Sequence, residues 1–207
     1  LIDSNNNNIL MSQSSACLAY FGNQFKLLGN NKYEESDCFQ LLLETVDLRN
    51  IITSFAYTHY ENKELELKAA NEVFNKAFEN NNTGKLQKFE HWLSKKNKDN
   101  MFLINDEPTI PDFNFFDILD FYLEFVKYYN FITNKNNKNI FQELEYPNIS
   151  NFYNNFIELP KMQKYLNSIF YKLPYTNKSA RFGSGIKGDT WNHTSQIDET
   201  PLEIIIN

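Results

Sequence analysis

The chain has 207 residues, 42% of them hydrophobic and 22% charged, which is enough to bury a core in one large domain or two small ones. Its net charge of −6 argues against binding to a phosphate backbone, and its apolar runs fall short of the roughly 20 residues that cross a bilayer. We therefore expect neither a nucleic-acid nor a membrane partner. With no signal-peptide pattern, the two cysteines, Cys17 and Cys38, indicate no disulfide framework and favour a cytoplasmic location.

The chain begins with a short mixed segment. Apolar residues at 1–3 and 9–12 predict two strands joined by an asparagine-rich turn, and a helix is predicted over 13–21. Two strands alone are only marginally stable in water. Because the chain also opens on Leu1 and not on Met, we expect residues 1–28 to be the end of a larger domain, truncated at its N-terminus.

The rest of the chain predicts an all-helical domain at 29–182, followed by a polar, glycine-rich tail at 183–207. The central helix is apolar nearly all round, which is typical of the middle of a bundle. Asparagine-rich runs separate several of the periodic segments and predict loops. The predicted helices are 33–57, 65–79, 84–96, 112–129, and two short helices within 147–168 separated near Pro160.

A capping motif precedes the central helix. Thr109 and Asp112 form an S/T-x-x-D box, in which Thr109 is the N-cap and the Asp112 carboxylate accepts a hydrogen bond from its amide. Pro111 falls in the first turn, where a missing N–H costs nothing. This motif predicts a structural role and says little about function.

The pair Gln13-Ser14 lies where a strand turns into a helix. The N–H groups at a helix N-terminus and the positive end of its dipole suit a carboxylate, and both side chains can hydrogen-bond a ligand. A plain polar N-cap explains the same two residues, and from the residues alone it is the simpler interpretation.

Other candidate residues have simple structural explanations. Asp47 and Arg49 are two positions apart on a helix and so point in different directions, which favours two separate surface residues, while Tyr57 is by type a core residue. Cys17 lies on an apolar helix face and is predicted to be a small buried thiol. The glycines at 183–188 fit a flexible tail better than a dinucleotide site. The three histidines, His59, His91 and His193, have no metal-ligand spacing, so no metal is expected.

Taken in chain order, four segments resemble the cytosolic glutathione transferases, closest to the mu class and its sigma relatives. The similar segments are "LID…ILMSQSSACLAYFG", "VDLRNIITSFAY", "PTIPDFNFFDILDFYLEF" and "PNISNFYNNFIELPKMQKYLNS". The resemblance runs in register from Leu1 to about Phe182. It implies a mainly α fold: the C-terminal helical bundle of a glutathione transferase, preceded by the last β-β-α part of a thioredoxin-like domain.

The resemblance also implies roles for five residues. It implies that Gln13 and Ser14 hold the γ-glutamyl end of glutathione, and that Asp47 reaches the γ-glutamyl amine bound to the partner subunit of a homodimer. It places Arg49 on the electrophile side. It implies that the Tyr57 hydroxyl assists the reaction as a hydrogen-bond donor or acid to the developing negative charge.

The expected function is conjugation of glutathione, as co-substrate, to small apolar electrophiles, a detoxification reaction. The family's thiolate-stabilising hydroxyl lies on the first strand of the thioredoxin-like domain, and no tyrosine of this sequence matches it. Residues 1–207 alone are therefore expected to show no appreciable turnover. The alternative is a non-catalytic ligand carrier or docking module of the same fold. A third possibility is glutathione-dependent isomerase chemistry of the sigma type.

Overall fold

The structure, a computed structural model, describes residues 2–3, 9–79, 84–95, 100–135, 140–143, 146–177 and 179–183. Two short strands come first, β1 (Ile2–Asp3) and β2 (Ile9–Leu10), and they pair antiparallel with Ile2 opposite Leu10. Eight helices follow in the described part of the chain. They are α1 (Ser14–Phe25), α2 (Lys32–Tyr57), α3 (Lys63–Phe78), α4 (Lys85–Lys95), α5 (Ile110–Thr133), α6 (Ile140–Glu143), α7 (Pro147–Glu158) and α8 (Pro160–Leu166). The fold is mainly helical, as the sequence predicts.

The first helix is longer than predicted. It continues through Gly22 and ends at Phe25. The next residue, Lys26, is the C-cap, and its φ of 57° is left-handed. Gly22 does not stop the helix but is needed for packing, because a Cβ at this position would lie 2.6 Å from Leu28 and 3.0 Å from Ile110. The helix therefore extends four residues beyond the predicted end at residue 21.

The central helix of the bundle is α5, which packs against α1, α2, α3 and α7. Most of its side chains are buried, and a narrow stripe that includes Phe113, Lys127 and Phe131 faces solvent. The contact with α2 includes one buried polar bond, in which the Tyr122 hydroxyl donates to the Leu48 carbonyl at 2.8 Å. Aromatic rings fill much of the remaining core, with Phe89 stacked on Phe115 at a centroid distance of 4.2 Å.

A buried carboxylate joins α4 to the start of α7. Glu90 is 7% exposed, and its two oxygens accept hydrogen bonds from the backbone amides of Asn148 and Ile149 at 3.0 and 2.9 Å. The Asn148 side chain donates to the same carboxylate. Glu90 therefore supplies the acceptors that the first turn of α7 lacks within its own helix.

The chain after α8 folds back over the bundle, and we call residues 167–177 and 179–183 the C-terminal strap. Phe182 is fully buried among rings of α2 and α5, including Phe55 and Phe121. Arg181 donates to the Thr58 carbonyl and pairs with Glu66 at 2.8 Å. These contacts tie the end of the described chain to α2, α3 and α5.

The predicted tail at 183–207 lies outside the described residues, except for Gly183. The Gly183 carbonyl accepts from the Thr176 amide at 3.0 Å, so this residue belongs to the strap. Within the described ranges, none of the helices is both long and apolar enough to cross a membrane.

Candidate functional site

The start of α1 has an unusual backbone. Gln13, the residue before the helix, has a φ of 72° and a ψ of 118°, and non-glycine residues rarely adopt a positive φ. The Gln13 side chain makes no capping hydrogen bond, and Gln13 and Ser14 are both exposed. A helix N-terminus carries first-turn amides and a positive dipole end, and the positive φ of Gln13 is a local strain of the kind found at ligand sites.

A cavity of about 460 Å³ lies beside this helix terminus, and we call it the α1 cavity. Ser14, Cys17 and Phe21 of α1 form one side of it. Arg49 of α2 faces them, so the structure brings Ser14 and Arg49 to one cavity. This proximity was not evident from sequence spacing, because 35 positions separate the two residues.

Two further polar residues line the α1 cavity, Asn114 and Asp117 of α5. The Arg49 guanidinium donates to the Asp117 carboxylate, and the Asn114 side-chain amide donates to the Thr45 hydroxyl. Sequence reasoning did not single out Asn114 or Asp117. Asp117 lies in the segment "FNFFDILD", which carries the family resemblance, and this position was the only indication in the sequence that it could belong to the site.

Asp47 lies apart from this cavity. Its carboxylate is 55% exposed and accepts from the Lys85 ammonium of α4 at 3.1 Å. One turn earlier, Glu44 pairs with Lys88 in the same way. Asp47 and Arg49 thus point to different sides of α2, as their spacing requires.

Tyr57 is the last residue of α2 and is 44% exposed. The interpretation of Tyr57 as a core residue is therefore wrong, because its position at the helix end leaves the ring facing outward. Tyr57 does not line the α1 cavity.

The residues at the start of α5 have a structural role. The buried Asp112 carboxylate accepts from the Thr109 amide at 2.7 Å, from the Thr109 hydroxyl at 2.6 Å and from the Leu103 amide at 2.8 Å. Burial raises the pKa of Asp112 to about 6, although these three donors act to lower it. Asp112 therefore joins the preceding loop to the first turn of the central helix.

The two thiols differ in their surroundings. Cys17 is half-buried at the α1 cavity and not fully buried as expected, while Cys38 lies in the core. Burial raises the pKa of Cys38 to about 12, so this thiol stays protonated and unreactive. Within the described ranges, no three His, Cys, Asp or Glu side chains form a group that could hold a metal.

Residues 46–169 match the family described as glutathione S-transferase, C-terminal domain. The chain belongs to the glutathione S-transferase family. It is 29% identical over 177 residues to the glutathione S-transferase class-mu 26 kDa isozyme of Schistosoma mansoni, covering 84% of this chain and 68% of that one.

Two solved glutathione S-transferase structures share the fold. The glutathione S-transferase Blo t 8 superimposes with a TM-score of 0.71 at 20% identity, over 88% of this chain and 74% of that one. The Pi-class enzyme of Onchocerca volvulus gives a TM-score of 0.60 at 20% identity, over 82% and 71% of the two chains. These similarities support the helical-bundle prediction.

Proposed function

We propose that this protein is a mu-like glutathione transferase, and that Gln13 and Ser14 bind the γ-glutamyl end of glutathione. The observation that supports this most is the exposed start of α1, where Gln13 has a positive φ and makes no capping bond with its own side chain, beside the α1 cavity. A carboxylate there would accept hydrogen bonds from the first-turn amides and from the Ser14 hydroxyl. The strained backbone positions the Gln13 side chain outside the helix, where it can donate and accept.

In the proposed reaction, the glutathione thiolate sulfur forms a bond to an electrophilic carbon, and the displaced electron pair leaves with the departing group or remains on the product. Arg49 faces the α1 cavity and would stabilise that negative charge. Its bond to Asp117 holds the guanidinium in place. We propose that Tyr57 donates a hydrogen bond on the electrophile side.

The thiolate itself needs a hydroxyl donor, and none of the tyrosines in residues 1–207 matches the family's residue for that role. We therefore propose that residues 1–207 bind glutathione weakly and do not turn it over alone. The exposed Asp47 would complete the site of a second subunit, which makes a homodimer part of this proposal. We also propose a cytoplasmic location, where free thiols such as Cys17 and Cys38 stay reduced.

Binding without catalysis is the second candidate. It is favoured by a larger apolar cavity of about 750 Å³ between α5 and α8, whose lining includes neither Gln13 nor Ser14. A carrier of apolar ligands would use such a cavity with no need for a thiolate.

The test uses native-length protein, including any residues that precede Leu1. We expect Gln13→Ala and Ser14→Ala each to weaken glutathione binding by about tenfold in calorimetric titrations, as loss of one hydrogen bond to a charged group requires. Ser54→Ala, at an exposed serine of α2, is the matched control and should leave the affinity unchanged. Unchanged affinity in both site variants would refute the binding assignment.

Turnover is tested on the same protein. Conjugation of a chloronitrobenzene electrophile, followed by absorbance, should occur in the wild type and decrease in Asp47→Ala if the site is completed across a dimer. Folded native-length protein that binds glutathione but shows no turnover would favour the carrier interpretation.

A further inference from the structure

The Asp47 carboxylate, which we assign to the γ-glutamyl amine of glutathione, already binds an ammonium group of its own chain. The Lys85 ammonium, from the first residue of α4, donates to it at 3.1 Å. A lysine ammonium and the γ-glutamyl amine offer a carboxylate the same chemistry, a positive charge with N–H donors. Lys85 therefore uses part of the charge and hydrogen-bonding capacity that the ligand amine would need.

The start of α4 holds the backbone of Lys85 close to α2. Gly84 precedes it, and a Cβ at position 84 would lie 2.3 Å from the Glu79 carbonyl oxygen, so the chain passes close to the end of α3 here. The residue after Lys85, Leu86, is fully buried. Because its two neighbours are closely packed, only the Lys85 side chain has to move for the pair with Asp47 to open.

The pair is weak enough for a ligand to displace. The side chains of Lys85 and Asp47 are 31% and 55% exposed, so water screens their attraction. Lys85 also begins a helix, where the positive end of the dipole disfavours a cation. Since about half of the Asp47 carboxylate faces solvent, an amine from outside the chain can reach it.

We propose that Lys85 competes with the γ-glutamyl amine for Asp47, and so lowers the affinity of the protein for glutathione. This inference rests on the proposed function, in which Asp47 completes the site of a second subunit. When glutathione binds, the carboxylate exchanges the Lys85 ammonium for the amine of the ligand, and Lys85 turns to water. The loss of the intramolecular pair is then a cost of binding.

The sign of the effect distinguishes this competition from general electrostatics. Glutathione carries a net negative charge at neutral pH, so a lysine that acts only at a distance attracts it. Removal of such a lysine would weaken binding. Competition for Asp47 predicts the opposite, because loss of the Lys85 charge leaves the carboxylate free for the amine.

The experiment is calorimetric titration of glutathione into native-length protein, including any residues that precede Leu1. Lys85→Met keeps an unbranched aliphatic side chain and removes the charge. We expect it to tighten glutathione binding about threefold, as release of one partly exposed ion pair allows. Lys88→Met is the matched control, because it breaks the neighbouring α2–α4 pair with Glu44, and it should not tighten binding.

Two further titrations separate competition from a structural effect. Deaminated glutathione, which lacks the γ-glutamyl amine, should bind Lys85→Met no more tightly than it binds the wild type. In an Asp47→Ala background, Lys85→Met should give no gain in glutathione affinity. A gain in either titration would overturn the proposal, because the effect would not pass through the amine and Asp47.

The outcomes also separate this inference from the proposed function. Where wild-type protein binds glutathione and Asp47→Ala weakens binding, unchanged or weaker binding by Lys85→Met overturns the competition alone. Equal tightening by Lys88→Met would do the same. Wild-type protein that does not bind glutathione, or that binds it equally well as Asp47→Ala, would refute the assignment of Asp47 and the competition with it.

Discussion

Arg49 of α2 and Asp117 of α5 form an ion pair between the α1 cavity and the larger cavity next to α8. Asp117 lines both cavities, and Arg49 lines the α1 cavity alone. The pair therefore fixes the direction of the one arginine that we assign to the electrophile side. Because Arg49 and Asp117 are 36% and 46% exposed, water screens their attraction and the pair is worth little to the fold.

A double-mutant cycle tests how much the Arg49–Asp117 pair contributes to the free energy of unfolding. We expect Arg49→Gln, Asp117→Asn and the double variant to show a coupling free energy of about 0.2 to 1 kcal/mol in urea denaturation, because both groups are partly exposed. A coupling of several kcal/mol would contradict the exposed environment described above.

Asp112 should make the stability of the protein depend on pH. The pKa of this buried carboxyl is raised from 3.8 to about 6, so between those values the folded state keeps a proton that the unfolded state has lost. The contribution of this bound proton to the free energy of unfolding is complete below about pH 4, and it is lost as the pH rises through 6. The loss is about 3 kcal/mol, because each tenfold change in proton affinity corresponds to about 1.4 kcal/mol.

Urea denaturation from pH 4 to 7 measures this contribution. The free energy of unfolding of wild-type protein, relative to that of Asp112→Asn, should fall with rising pH over this range. Parallel pH profiles for the two proteins would show that Asp112 does not titrate in this range.

Glu90 should be among the most sensitive acidic residues of the helical domain. Glu90→Gln places an N–H₂ group against amides of the α7 N-terminus and removes the charge that favours the helix dipole. We expect a loss of about 2–3 kcal/mol in the free energy of unfolding. Glu44→Gln makes the same chemical change at the partly exposed pair with Lys88 and should cost less than about 1 kcal/mol. Equal effects in thermal or urea denaturation would argue against the capping role.

Arg181 should hold the C-terminal strap. Its guanidinium bonds the Thr58 carbonyl, pairs with Glu66 and stacks on the Tyr60 ring at 4.4 Å, so Arg181→Gln loses three kinds of contact. We expect faster hydrogen exchange in the strap and a loss of about 1–2 kcal/mol. Lys172→Gln removes a charge from an exposed position of the same strap and should change neither measurement. Unchanged exchange in Arg181→Gln would show that the Arg181 side chain does not hold the strap.

Local sequence signals predict the helices well. The central helix is recognisable because apolar residues occupy most positions of 112–129, and α5 includes all of these positions. The end of α1 at Phe25 lies four residues beyond the predicted end, because a local apolar pattern fixes a helix boundary only approximately. The packing role of Gly22 is evident only in the folded chain, where Leu28 and Ile110 lie close to it.

The candidate site depends more on tertiary contacts. Gln13 and Ser14 were singled out by the order of motifs along the chain, since the residues themselves fit an ordinary cap equally well. The pairing of Arg49 with Asp117 joins positions 68 apart, and no local periodicity encodes it. The positive φ of Gln13 is likewise a feature of the folded chain, because glutamine as a residue type does not predict it.

The contact between the end of α1 and the start of α5 makes one amide a natural reporter. The Ile110 N–H donates to the Leu27 carbonyl at 3.0 Å, across the gap that Gly22 keeps narrow. Whenever α1 detaches, that N–H loses its acceptor while the later turns of α5 keep theirs. A single resonance in the NMR spectrum can therefore follow how firmly the helix that presents Gln13 and Ser14 is seated on the bundle.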